Sequence, residues 1–132
     1  GNGGVISPEA HLGRDSLVGI GYILEMMAER KKTAGELAAG MPRYWMRKGK
    51  VPAGATGPEK ALEKIKKTFA GEKISDLDGL RVDFRKTGDF RDGWVHLRSS
   101  NTEPVFRVIA EGRTKKQADL IYRHFAAMFE KS

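Results

Sequence analysis

Between residues 80 and 112 the apolar positions follow a two-residue rhythm. Leu80, Val82 and Phe84 alternate with Arg81, Asp83 and Arg85, the pattern of a half-buried strand. "WVHLR" at 94–98 and "PVFRVIAEG" at 104–112 predict two further strands, and "SSNTE" between them predicts an antiparallel hairpin. A fourth strand is predicted at 43–51, "RYWMRKGKV", with "PAGATG" at 52–57 as a flexible joint.

Elsewhere the rhythm is helical. Three capping-box spacings open helices: Thr33/Glu36, running to about Ala39; Thr56/Glu59, running from about Pro58 to Ala70; and Thr114/Gln117, running nearly to the end of the chain. Leu62, Ile65 and Phe69 form one apolar stripe opposite Lys60, Lys64 and Lys67. Ala118, Ile121, Tyr122, Phe125 and Phe129 form another. The helix predicted over 14–32 is different, because Leu17, Val18, Ile20, Tyr22, Ile23, Leu24, Met26 and Met27 cover nearly every side, so it expects neighbours on two faces.

These elements divide the chain. Residues 42–132 predict the order β-α-β-β-β-α, an α+β fold with a four-stranded, mainly antiparallel sheet and helices on one face. Residues 1–41, a short apolar strand, the two-faced helix and a short helix, read as the tail of an α/β domain. The abrupt opening, "GNGG" leading at once into "VIS", reads as part of a longer protein.

Composition narrows the classes without choosing among them. The net charge is +7, from 24 basic and 17 acidic residues, and the excess is spread along the chain, which favours anionic ligands generally and equally suits a solvated surface. With no cysteine, a disulfide framework or thiolate metal site is excluded, and a cytoplasmic setting is expected. The most apolar run, 16–28, is too short and punctuated for a membrane span, so no membrane partner is expected. His11, His96 and His124 are scattered without an i,i+4 partner, so no metal site is expected. Asp76, Asp78 and Asp83 lack the spacing of a calcium loop and read as turn formers.

The chemistry concentrates in the hairpin loop. Arg98 enters it, Ser99, Ser100, Asn101 and Thr102 follow, and Arg107 lies on the return strand. Such residues make stable Asx- and ST-turns. They also match a phosphate, whose oxygens take a guanidinium bidentately and further donors from hydroxyls, an amide and backbone N–H groups. Local chemistry leaves both open. Glu103 fits either an orienting partner for Arg98 or Arg107 or a solvated turn acid. A rival class is nucleic-acid binding through a stacking platform of Trp94, Phe106, Tyr44 and Trp45, and a third is an interaction module that self-associates through helix 14–32.

The segment "DGWVHLRSSNTEPVFRVIAEG", preceded by "LDGLRVDF" and followed by an amphipathic helix, resembles the C-terminal domain of the α-D-phosphohexomutases, the phosphomannomutase/phosphoglucomutase and phosphoglucosamine mutase superfamily. "RSSNTEP…R" fits the family's R-x-S-N/G-T-x-P followed by a strand carrying Arg. "GNGGVISPEAHLGRDSLVGI" resembles the end of the third domain, just inside the sugar-recognition loop. The resemblance implies a TATA-binding-protein-like fold for 42–132 and the tail of the third domain for 1–41. It implies phosphate transfer between C1 and C6 of a hexose, through a phosphoserine enzyme and a bisphosphorylated sugar, with Mg2+ bound elsewhere in the full-length enzyme. Arg98, Ser100, Asn101, Thr102 and Arg107 would grip the phosphate that is not reacting, while this domain turns to close the cleft. Asn2 would contact the sugar, and Gly4 stands where many relatives have His. The implied partners are a phosphosugar and the upstream domains of the same protein, with no nucleic acid. No phosphoserine motif or Asp-rich magnesium loop occurs in the chain, so by itself it is expected to lack mutase activity and to hold no cofactor.

Overall fold

A computed structural model describes residues 4–52, 58–100 and 105–130, and the chain divides into two compact units, residues 1–42 and 43–132. In the first unit α1 spans Ser16–Arg30 and α2 spans Ala34–Ala39. Asp15 caps α1, its carboxylate accepting from the N–H groups of Leu17 at 2.7 Å and Val18 at 3.0 Å. The Val18 N–H, followed by His11, holds the Asp15 carboxyl below its ordinary range. His11 therefore does have a partner four residues on: its Nε2 lies 3.1 Å from Asp15 Oδ2. For His11 the expectation of no i,i+4 partner is thereby corrected, because its ring braces the Asp15 cap. At α2 the capping box forms as its spacing predicts, Glu36 N–H donating to Thr33 Oγ1 and Thr33 N–H to the Glu36 carboxylate. Along α1 only Gly19 is buried among the described residues, and Leu17, Ile20, Ile23 and Leu24 stay exposed.

The second unit is a sheet with two helices. Its elements are β1 (Trp45–Pro52), α3 (Pro58–Thr68), β2 (Lys73–Ser75), β3 (Leu80–Asp83), a 3-10 turn (Gly88–Phe90), β4 (Trp94–Ser99), β5 (Val105–Gly112) and α4 (Lys115–Glu130). All pairings are antiparallel, in the order β1-β5-β4-β3-β2. The sheet therefore has five strands, not the four expected. The added strand, Lys73-Ile74-Ser75, is too short to show a period; its pairing with β3, not its own pattern, makes it a strand.

Alternation decides what each face carries. Val51, Leu80, Val82, Val95, Leu97, Phe106, Val108 and Ala110 point one way and form a single core with Ile65 and Phe69 of the α3 region and Ile121, Phe125 and Phe129 of α4. Both helices thus lie on one face. The Thr56/Glu59 cap falls outside the described residues. At α4 the predicted box is only half made: Gln117 N–H donates to Thr114 Oγ1, but the Gln117 amide instead accepts from Arg113 N–H and donates to the carbonyls of Asp89 and Arg91, tying α4 to the 3-10 turn.

A carboxylate fastens the turn between β3 and β4. Glu72 accepts from the backbone N–H groups of Arg85 at 2.6 Å and Thr87 at 2.7 Å, from that of Lys86, and from the Thr87 hydroxyl. Desolvation works to raise its pKa, but the Thr87 hydroxyl and the N–H groups of Arg85, Thr87 and Lys86 outweigh it and lower the group from 4.5 to about 2. Because the folded value is depressed, its stabilisation is complete above about pH 4.5 and lost as the pH falls toward 2. Glu72→Ala is expected to cost about 1–2 kcal/mol at neutral pH, discounting for exposure. In urea titrations the gap between wild type and Glu72→Gln should narrow between pH 4.5 and 2; a constant gap would remove the carboxylate from the account.

Candidate phosphate-binding face

The face of the sheet turned away from α3 and α4 carries the polar half of each strand. Register places Arg98 of β4 directly opposite Arg107 of β5, and Arg107 directly opposite Lys50 of β1. Leu97, Phe106, Val108 and Val51 beside them point into the core, so all three cations share the other face, in one row across three strands. Two residues along lies the row Lys48–Ile109–His96–Arg81, and beyond it Met46–Glu111–Trp94–Asp83. Cross-strand neighbours of like charge destabilise a sheet. An anion over the row reverses that term.

Local structure positions the arginine end of the row. Ser100 N–H donates to the Val105 carbonyl at 2.9 Å and continues the β4–β5 pairing past Ser99, where the hairpin loop begins. Arg98 Nη1 donates to Asp78 Oδ2 at 2.9 Å. Asp78 reaches Arg98 because Gly79, at φ +75°, folds the preceding turn onto β4; a Cβ on Gly79 would stand 2.3 Å from the Leu97 carbonyl oxygen. The ring of His96 bonds the Asp78 carbonyl and braces the same turn. Arg107 Nε is buried and has no hydrogen-bond partner among the described residues. A buried donor without an acceptor costs about 1–3 kcal/mol, so this atom marks where an acceptor is called for.

Of the residues read as site residues, Arg98, Ser100 and Arg107 are thus brought to one end of one sheet face. Asn101, Thr102 and Glu103 lie outside the described residues, as does Asn2. Asp78, read from sequence as a turn former, is a partner of Arg98, and Lys50 carries no sequence signal that sets it apart. Neither could be found without the strand register, which pairs residues far apart in the chain. The aromatic platform does not form: Phe106 stacks on Phe129 in the core at 4.6 Å, while Trp94 is on the opposite face, donating to Glu111 at 2.8 Å beneath the guanidinium of Arg81. Among the described residues no group of three or more His, Asp or Glu side chains could hold a metal ion, and no helix is long and apolar enough to cross a membrane.

The family model described as phosphoglucomutase/phosphomannomutase, C-terminal domain, matches residues 46–128, from the start of β1 nearly to the end of α4. The chain belongs to this family. The cation row lies wholly within the matched domain. The chain is 35% identical to a phosphoglucomutase/phosphomannomutase of Thermococcus kodakarensis over 120 residues, covering 89% of the chain and 25% of that protein. It is 34% identical to a probable phosphoglucosamine mutase of Thermococcus gammatolerans, covering 86% of the chain and 24% of the relative. A probable phosphoglucosamine mutase of Methanosarcina acetivorans is 32% identical, with 92% and 26% covered. The chain spans about a quarter of the length of these curated relatives. The longest of these alignments, 122 residues, exceeds the extent of the second unit, so the likeness reaches into residues 1–42.

Proposed function

We propose that residues 42–132 are the phosphate-gripping C-terminal domain of a phosphohexomutase, and that residues 1–41 are the tail of its third domain. The longer enzyme interconverts hexose 1-phosphate and hexose 6-phosphate through a phosphoserine and a bisphosphorylated sugar. Arg98, Ser100, Asn101, Thr102 and Arg107 hold the phosphate that is not reacting. The observation that carries this reading is the juxtaposition of Arg98 and Arg107 beside the hairpin loop, with a buried guanidinium nitrogen that has no partner among the described residues.

The chemistry of such a grip follows from its parts. Guanidinium and hydroxyl donors recognise phosphate oxygens and not the sugar ring. A site built this way accepts either end of a bisphosphorylated hexose, and so serves both half-reactions as the sugar reverses. Holding the remote phosphate fixes the reacting one at a set distance, which supplies orientation and no bond-making. Closure of this domain over the sugar would exclude water from the transfer. Magnesium, which the resemblance implies for the longer enzyme, finds no fitting ligand set among the described residues.

The test is an NMR titration of the chain with glucose 1-phosphate and glucosamine 1-phosphate. The amides of Ser100, Asn101 and Thr102 and the Nε–H resonances of Arg98 and Arg107 are expected to move, with a dissociation constant of about a millimolar, because the costs of association offset most of a few charged hydrogen bonds. Shifts confined to α4 or to residues 1–42 would refute the assignment.

A further inference from the structure

We infer that Lys50 of β1 is a third cation of the phosphate site, an inference that rests on the phosphate-binding reading and adds a strand to it. Lys50 is directly opposite Arg107, and Arg107 directly opposite Arg98. Their alternation with Val51, Phe106 and Leu97, all in the core, turns all three to the same face. Adjacent strands lie about 4.8 Å apart, so Lys50 and Arg98 stand about 10 Å apart on either side of Arg107. Long side chains close that span from both ends on a phosphate seated over Arg107, whose buried Nε lacks an acceptor among the described residues.

The charges divide the work. Arg98 is engaged at Nη1 by Asp78, so its positive field toward the ligand is partly offset. A phosphate monoester is close to doubly charged at neutral pH. Lys50 lies at the far end of the row from Asp78 and supplies a compact charge on a flexible stem. A flexible ammonium suits a site that must accept first one phosphate of the sugar and then the other, in poses that differ by the position of the ring. Lys48, on the same strand and face, faces Ile109 about 7 Å further along and serves as the matched control.

The experiment titrates the 132-residue chain with glucose 1-phosphate, followed by NMR, for wild type, Lys50→Met, Lys50→Arg and Lys48→Met. Lys50→Met is expected to weaken binding about three- to tenfold, while Lys50→Arg and Lys48→Met stay within about twofold of wild type. Both positions are exposed strand sites, and an unchanged amide spectrum in the core checks the fold. If Lys50→Met binds like wild type, or if Lys48→Met loses as much, Lys50 is not a ligand and the inference fails while the phosphate site stands. If wild type shows no response at Ser100 or Arg107, the phosphate reading fails and takes this inference with it.

Discussion

Truncating Phe125 to alanine is expected to lower the unfolding free energy of the second unit by about 3–5 kcal/mol. Phe125 is fully buried. Its ring lies 5.4 Å from that of Phe69, 5.8 Å from Phe84 and 6.2 Å from Phe90, so one side chain from α4 joins the end of α3, the end of β3 and the 3-10 turn. Removing it opens a cavity that three aromatic neighbours on separate elements cannot collapse into together, which places the cost toward the upper part of the range. A domain of this size has about 5–15 kcal/mol in total, so the variant should melt about 15–30 °C lower. Leu120→Ala, on the exposed side of the same helix, should change stability by less than about 1 kcal/mol. Equal losses for the two variants would contradict the placement of the core.

The same helix shows how far a sequence reaches. The stripe Ala118, Ile121, Tyr122, Phe125 and Phe129 is a local property, set by 3.6 residues per turn, and four of the five are buried while Tyr122 is half-buried against the core. The alternation of Leu80, Val82 and Phe84 is local as well, and it assigned faces correctly along β3 and beyond. Caps were legible where donor and acceptor sit within three residues, as in Thr33 and Glu36. Gln117 departed from its box because the carbonyls of Asp89 and Arg91, distant in the chain, offered its amide better partners.

What was not legible depends on register. β2 has one apolar residue and becomes a strand only against β3. Asp78 looks like any turn acid until Gly79 turns it onto Arg98. Lys50 is one lysine among many until β1 pairs with β5. Arg98, Ser100 and Arg107 of the candidate site are visible in the sequence as a motif, whereas the register that lines Lys50 up with the two arginines is not. The apolar surface of α1 is legible in both, for the pattern that predicts neighbours on two faces is the pattern found exposed.

Arg98→Ala is expected to weaken glucose 1-phosphate binding by about ten- to a hundredfold, which from a millimolar start means loss of a measurable response. The fold should tolerate the change. Arg98 is opposite another arginine, so its removal relieves a like-charge pair, and the Asp78 ion pair that is lost is largely exposed and contributes little. An unchanged melting temperature with abolished binding would therefore separate recognition from stability. Arg98→Lys retains the charge but not the planar fork that a bidentate grip on phosphate requires, and should fall between wild type and alanine. In the proposed full-length mutase, a contact held equally in the bound substrate and the transition state would show as a raised KM with little change in kcat. A grip that tightens as the domain closes would instead lower kcat, because binding energy at the remote phosphate then drives closure. If the proposed grip holds, the split between the two constants for Arg98→Ala distinguishes a row that only holds the sugar from one that helps to close the site.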